Sequence, residues 1–264
     1  MSAEEHSSSL IDLTPVEAAP HVCVITLNRP KRRNAFNNEM ADELADTLDA
    51  FESDPAYRVA ILRGNGPIFC AGMDLVAFAA GERPGLDTAN GFAHFVRRPR
   101  SKPIVAAVQG GAHGGGFEIM LACDLVVAES DTKMSMAEVK RGIIAGGGGA
   151  ARLASRIPAM VAREMLFTGN PITAARAYEL GLVNAVVPAD ELEAASLKLA
   201  VDIAANAPLA VRGTKAIVDE SLAADELQGW YASSRIWDKV TASEDAIEGV
   251  VAFKERRQPI WRGK

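Results

Sequence analysis

The chain has 264 residues, of which 48% are hydrophobic and 23% charged, and its net charge is −6. That is enough chain and enough apolar material for one large domain with a sizeable core. The negative balance argues against a general nucleic-acid or anionic-membrane binder, while leaving room for a local basic patch.

Cys23, Cys70 and Cys123 are widely spaced and odd in number, which fits neither a disulfide framework nor a zinc site and agrees with a reducing cytoplasm. Residues 1–9 are polar, lack the apolar stretch of a signal peptide and read as a loose tail. No apolar run reaches the ~18–20 residues of a membrane helix.

Residues 22–27 are apolar on both alternating faces apart from Thr26, as in a strand covered on both sides. At 38–51 the period changes: Met40, Leu44, Leu48 and Phe51 recur at helical spacing. Glu39 and Asp42 sit in its first turn, where the helix dipole favours negative charge. Residues 59–62 form another strand, ended by Gly64-Asn65-Gly66-Pro67. A buried strand at 104–108 leads into a glycine-rich turn, a helix over 117–123 and a strand over 125–128. Thr173 is the N-cap and Gly181 the stop of a helix over 173–180, followed by a strand over 182–187.

The rest reads as helical. Leu192, Ala195, Leu199 and Ile203 mark one helix face, Pro208 opens a second helix, and 226–240 and 243–257 form two more. The chain therefore divides into the tail 1–9, an α/β core over 10–190 and a C-terminal helical region over 191–264, which packs on the core or on another subunit.

Four segments can carry chemistry. Residues 69–75, around Ala71, Gly72, Met73 and Asp74, let a ligand approach backbone N–H groups closely. Residues 110–118 end a glycine cluster on Glu118, at a helix N-terminus whose unpaired amides and positive dipole end suit a developing oxyanion. Glu138 is a lone carboxylate among apolar residues, which taken alone reads as a surface charge at a strand end. The run from Gly146 to Ala151 fits a degenerate dinucleotide fingerprint, but no buried strand precedes it. His113 to Gly116 would suit a lipase oxyanion loop, yet the nucleophile elbow is missing. His113 itself reads as a packing residue beside the substrate. Trp230, Trp237 and Trp261 read as core or interface rather than ligand-binding.

In this order and spacing the segments resemble the crotonase superfamily, the enoyl-CoA hydratases and isomerases. The resemblance runs over 24–263 and includes Leu27-Asn28-Arg29-Pro30 with Asn34-Ala35, Cys70 to Leu75, Gly114 to Glu118, Cys123-Asp124, Glu138 with Gly142, and Glu248 to Phe253. The ending, from Ser243 through Trp261-Arg262-Gly263, is similar to carnitinyl-CoA dehydratases.

The resemblance implies a spiral of ββα units with a C-terminal α-helical region that makes trimers or dimers of trimers. It implies an acyl-CoA substrate, CoA being part of the substrate and no separate cofactor. By position, the amides of Met73 and Gly115 form an oxyanion hole, and Glu118 and Glu138 are the catalytic pair. Ala35, Ala71, Asp74 and Leu75 surround CoA, and Phe253 and Arg256 reach a neighbouring subunit's ligand. Met73 replaces a more usual alanine. Val76 stands where some hydratases carry a lysine near the CoA phosphate, a role left to Lys31, Arg32 or Arg33.

The expected reaction is reversible hydration of a 2-enoyl-CoA. An isomerase, a carnitinyl-CoA dehydratase-like enzyme and a non-catalytic CoA-binding subunit are the alternatives. Residues 77–94 read as a mobile segment at the acyl pocket, lined by Phe78, Phe92 and Phe95.

Overall fold

The computed structural model describes residues 9–260, without the side chains of 224–230, 232, 233, 235, 236 and 239. The tail, apart from Ser9, the Trp261-Arg262-Gly263 ending and the Trp230 side chain lie outside the described residues.

A six-stranded sheet runs in the order β1 (Ile11–Pro15), β2 (Val22–Leu27), β3 (Val59–Gly64), β4 (Ile104–Val108), β6 (Leu125–Glu129) and β9 (Ala185–Val187). β1 is antiparallel to β2, and the other neighbours are parallel. Strand alternation feeds two cores. Cys23, Ile25, Ala60 and Leu62 enter one, while Val22, Val59, Ile61 and Val105 enter the other.

Helix α1 (Asn38–Ser53) buries Met40, Leu44, Leu48 and Phe51 in the first core, and Asn37 caps it by accepting the Met40 N–H. Helix α7 (Leu192–Ala204) closes the second through Ala200 and Ala204. The helical region that begins at 191 thus supplies one layer of the sheet's own packing.

A second, three-stranded sheet, in the order β5–β7–β8, joins β5 (Gly111–His113), β7 (Lys133–Ser135) and β8 (Ile172–Thr173). An isolated parallel bridge, Cys70 to Ala112, adds one more residue at its edge. The winding follows from this: a long strand in the large sheet, a short step in the small one, then a helical turn. β3, Cys70 and α2 (Leu75–Ala79) form one such unit, and β4, β5 and α3 (Gly115–Ala122) the next. β6, β7 and the 3-10 turn Glu138–Arg141 form the third. Met73, Gly115 and Glu138 therefore occupy equivalent places, just past the small-sheet step of successive units.

Beyond these come α4 (Gly149–Arg156), α5 (Ala159–Thr168) and α6 (Ala174–Glu179), the last capped by Thr173 as expected. The strand expected over 182–187 shortens to β9, because Leu182 and Val183 are already buried and the Asn184 side chain accepts the Val126 N–H. The helices expected from Pro208 and over 226–240 are one helix, α8 (Pro208–Thr241), since no proline interrupts it. Among the described residues no single helix is long and apolar enough to cross a membrane.

Helix α9 (Glu244–Glu255), capped by Ser243, folds back on the turn that carries Glu138. The approach is close: a Cβ on Gly249 would lie 2.1 Å from the Arg141 carbonyl oxygen, and one on Gly142 would lie 2.4 Å from that of Asp245.

Candidate active site

Met73, Gly115, Glu118, Glu138, Ala35, Ala71, Asp74, Leu75, Phe253 and Arg256 all line one cavity of about 710 Å³. Its floor is made by two backbone segments. Phe36 and Met73 form a parallel bridge in which Phe36 N–H donates to Gly72 O (2.8 Å) and Asp74 N–H to Phe36 O (2.9 Å). A parallel bridge engages the residues flanking its centre, so the Met73 N–H points away from Phe36. Gly115 opens α3, where the first amides have no intrahelical acceptor. The two segments touch at Gly72, whose φ is +94° and where a Cβ would lie 2.8 Å from Gly115 N and 2.7 Å from His113 O. Only glycine satisfies both the dihedral and the approach.

Asp74, expected beside CoA, borders the cavity and also ties two backbone segments together. Its carboxylate accepts from Arg29 Nη1 (2.8 Å), which also donates to Ala35 O (2.7 Å). The other oxygen accepts the Val76 and Ala77 amides and caps α2. Burial would push its pKa up, but Arg29 and those amides outweigh it and hold the carboxyl below its ordinary value. The residue borders the cavity, yet its side chain rivets the Met73 segment to the Ala35 segment. Arg29, a partner that sequence reasoning did not single out, is the other half of the rivet.

Glu118 lies on α3 with its side chain buried. It accepts Gly149 N–H at 2.9 Å, and Arg152, a buried cation on α4, stands near it. The glycine run explains itself here. A Cβ on Gly147 would lie 2.3 Å from Glu118 Oε2, and one on Gly149 3.0 Å from Oε1. The run is a cradle for a carboxylate rather than for a dinucleotide phosphate. Glu138 starts its 3-10 turn and is no surface charge: Oε2 is buried without a hydrogen-bond partner among the described residues. Burial raises both carboxyls. For Glu118 the Gly149 and Gly147 amides and Arg152 oppose the rise; for Glu138 the charge of Glu118 adds to it.

The walls correct two further expectations. Phe92 lines the cavity and packs on Gly115, but Phe95 is fully buried in the core and Phe78 stands behind the lining. Trp237 lines the cavity instead of serving only as core or interface. Phe253 and Arg256 are also part of the lining, brought there as α9 folds back on the Glu138 turn. His113 borders the cavity as well, with Nδ1 2.9 Å from Ser135 Oγ. Lys31, Arg32 and Arg33 gather at the same cavity.

A family model described as enoyl-CoA hydratase/isomerase matches residues 17–264. The chain is 40% identical to a carnitinyl-CoA dehydratase of Proteus mirabilis, over 92% of this chain and 95% of that protein. It is 38% identical to the enoyl-CoA hydratase EchA19 of Mycobacterium tuberculosis, over 94% and 96% of the two chains. Among solved structures, a carnitinyl-CoA hydratase from Mycobacterium avium superposes with a TM-score of 0.91 at 38% identity, over 98% of this chain and 100% of that one.

Proposed function

The chain belongs to the enoyl-CoA hydratase/isomerase family, and we propose that it is a hydro-lyase that reversibly adds water across the double bond of a 2-enoyl-CoA thioester. The observation that carries this is the meeting, in one cavity, of two buried carboxyls in unlike surroundings with the Met73 and Gly115 backbone segments.

The thioester oxygen accepts from the Met73 and Gly115 amides, which stabilise the enolate that forms as water attacks the β-carbon. One such donor is worth ~2.7–4 kcal/mol of barrier. Glu118, held by the Gly149 amide and close to Arg152, is the carboxylate that takes a proton from water. Glu138, with its unpartnered oxygen and with Glu118 beside it, is the carboxylic acid that delivers a proton to the α-carbon. The same groups run backwards to remove water, so the dehydratase direction uses no further residue. Lys31, Arg32, Arg33 and Arg256 form the basic side of the cavity, suited to the phosphates of CoA. This chemistry calls on no cofactor beyond the CoA carried by the substrate. Cytoplasmic residence and assembly into trimers, single or paired, complete the proposal.

The test follows loss of the conjugated enoyl-thioester absorbance on mixing with a short trans-2-enoyl-CoA. Rapid loss in the parent is expected, with a fall of ~10²–10⁴-fold in each of Glu118→Gln and Glu138→Gln and CoA binding retained. An unchanged rate in either variant removes that residue from the mechanism. No loss in the parent, with acyl-CoA bound, removes the hydratase assignment.

A further inference from the structure

We infer that Trp237 is the specificity-determining residue of this site: its indole forms the end wall of the acyl pocket and restricts the enzyme to short-chain acyl-CoAs. The inference rests on the reading that the cavity takes an acyl-CoA.

Two consecutive glycines place the wall. Gly147 lies against Glu118, and Gly146 lies against the indole, where a Cβ would be 2.8 Å from Trp237 Cε3 and 3.2 Å from Cζ3. The ring therefore stands one residue along the backbone from the carboxylate cradle. With the thioester oxygen on the Met73 and Gly115 amides and the CoA arm on the basic side, the acyl chain beyond the β-carbon runs past Glu118 towards this ring.

The ring is backed from outside. Phe78 meets it edge to face, with centroids 6.5 Å apart and planes at 70°. The Arg83 guanidinium covers Phe78 at 4.3 Å. Phe78 belongs to α2, the helix that starts just past Met73, whereas Trp237 belongs to α8. The wall is thus tied to the segment that fixes the thioester, so pocket depth is measured from the reacting centre itself.

The experiment compares the full-length parent with Trp237→Ala and Trp237→Phe. Calorimetry gives the affinity for butyryl-, octanoyl- and dodecanoyl-CoA, and hydration of the matching trans-2-enoyl-CoAs is followed in parallel. In the parent, affinity is expected to stop rising, or to fall, beyond the short chains. In Trp237→Ala it should keep rising, by up to roughly fourfold per added methylene, the ~0.8 kcal/mol of a buried CH₂. The long-to-short ratio of kcat/KM should rise at least tenfold, with Trp237→Phe in between.

Parallel chain-length profiles in the parent and Trp237→Ala overturn the inference. Circular dichroism checks each variant's fold, and should the alanine variant not fold, Trp237→Phe decides by the same comparison of profiles. Binding readouts separate this inference from the activity. If saturated thioesters show the expected profile and no enoyl thioester is hydrated, the wall stands and the hydratase reading fails. If no acyl-CoA binds at all, both fail.

Discussion

Burial alone would leave Glu118 and Glu138 equally reluctant to ionise; the backbone around them separates their roles. Both pKa values are raised by burial, and Glu138 also feels the charge of Glu118 and has no hydrogen-bond partner on Oε2 among the described residues. Activity should climb with pH as the pair loses its first proton, then fall as it loses its second, and the two limbs of kcat/KM belong to the pair as a unit. A sigmoidal profile with one limb would contradict the division of roles.

The same shift has a consequence for stability. With a folded-state pKa above the unfolded one, the native protein holds a proton that the unfolded chain has released, so stability drains away as pH rises from the ordinary carboxylate range through the raised value. Glu138→Gln removes that loss. Its melting temperature should match the parent near pH 4–5 and exceed it above pH 8, by a gain of ~1–3 kcal/mol. A variant less stable than the parent at high pH would show that the buried carboxylate is solvated by means other than those described.

At the scale of elements, short links hold the site together. Gly147→Ala should drive a methyl group into Glu118, given the 2.3 Å approach, and lower kcat by about the ~10²-fold that a 1 Å misplacement can cost. Far-UV circular dichroism should stay unchanged. Arg29→Met should let the Met73 segment drift from the Ala35 segment. A loss mainly in kcat, partly restored by Arg29→Lys, is the expected signature, whereas a pure rise in KM would assign Arg29 to ground-state binding instead.

These links also mark the limit of what the sequence discloses. β2 and α1 are plain in it because each buries whole alternating or helical faces. The small sheet is not, since strands of two or three residues carry too little period to be seen. β1 escapes notice because its outer end is exposed and polar. Met73, Gly115, Glu118 and Glu138 could be picked out through their resemblance to a family, but the Arg29–Asp74 rivet and the position of Trp237 depend on contacts 45 or more residues apart in the chain, which no local pattern encodes.

At the scale of the molecule, α8 is long and carries exposed apolar side chains, among them Leu209, Ile217 and Leu222. Large apolar side chains left exposed along a long helix are suited to burial against another subunit. Sedimentation or light scattering should find trimers or pairs of trimers, and Ile217→Glu with Leu222→Glu should shift the population towards smaller species. A parent that runs as a monomer at all concentrations would refute the assembly.

The return of α9 onto the Glu138 turn carries a meaning for biosynthesis. The large sheet is complete at Val187, but the helix that buttresses Glu138 begins only at Glu244. A ribosome adding ~5–20 residues per second needs several seconds to cover that stretch. During that interval the nascent chain carries the strands of its sheet but not yet the helix that packs on the Glu138 turn. Nascent chains halted before residue 244 should thus lack full turnover, gaining it only once α9 has been released and has packed on the Glu138 turn.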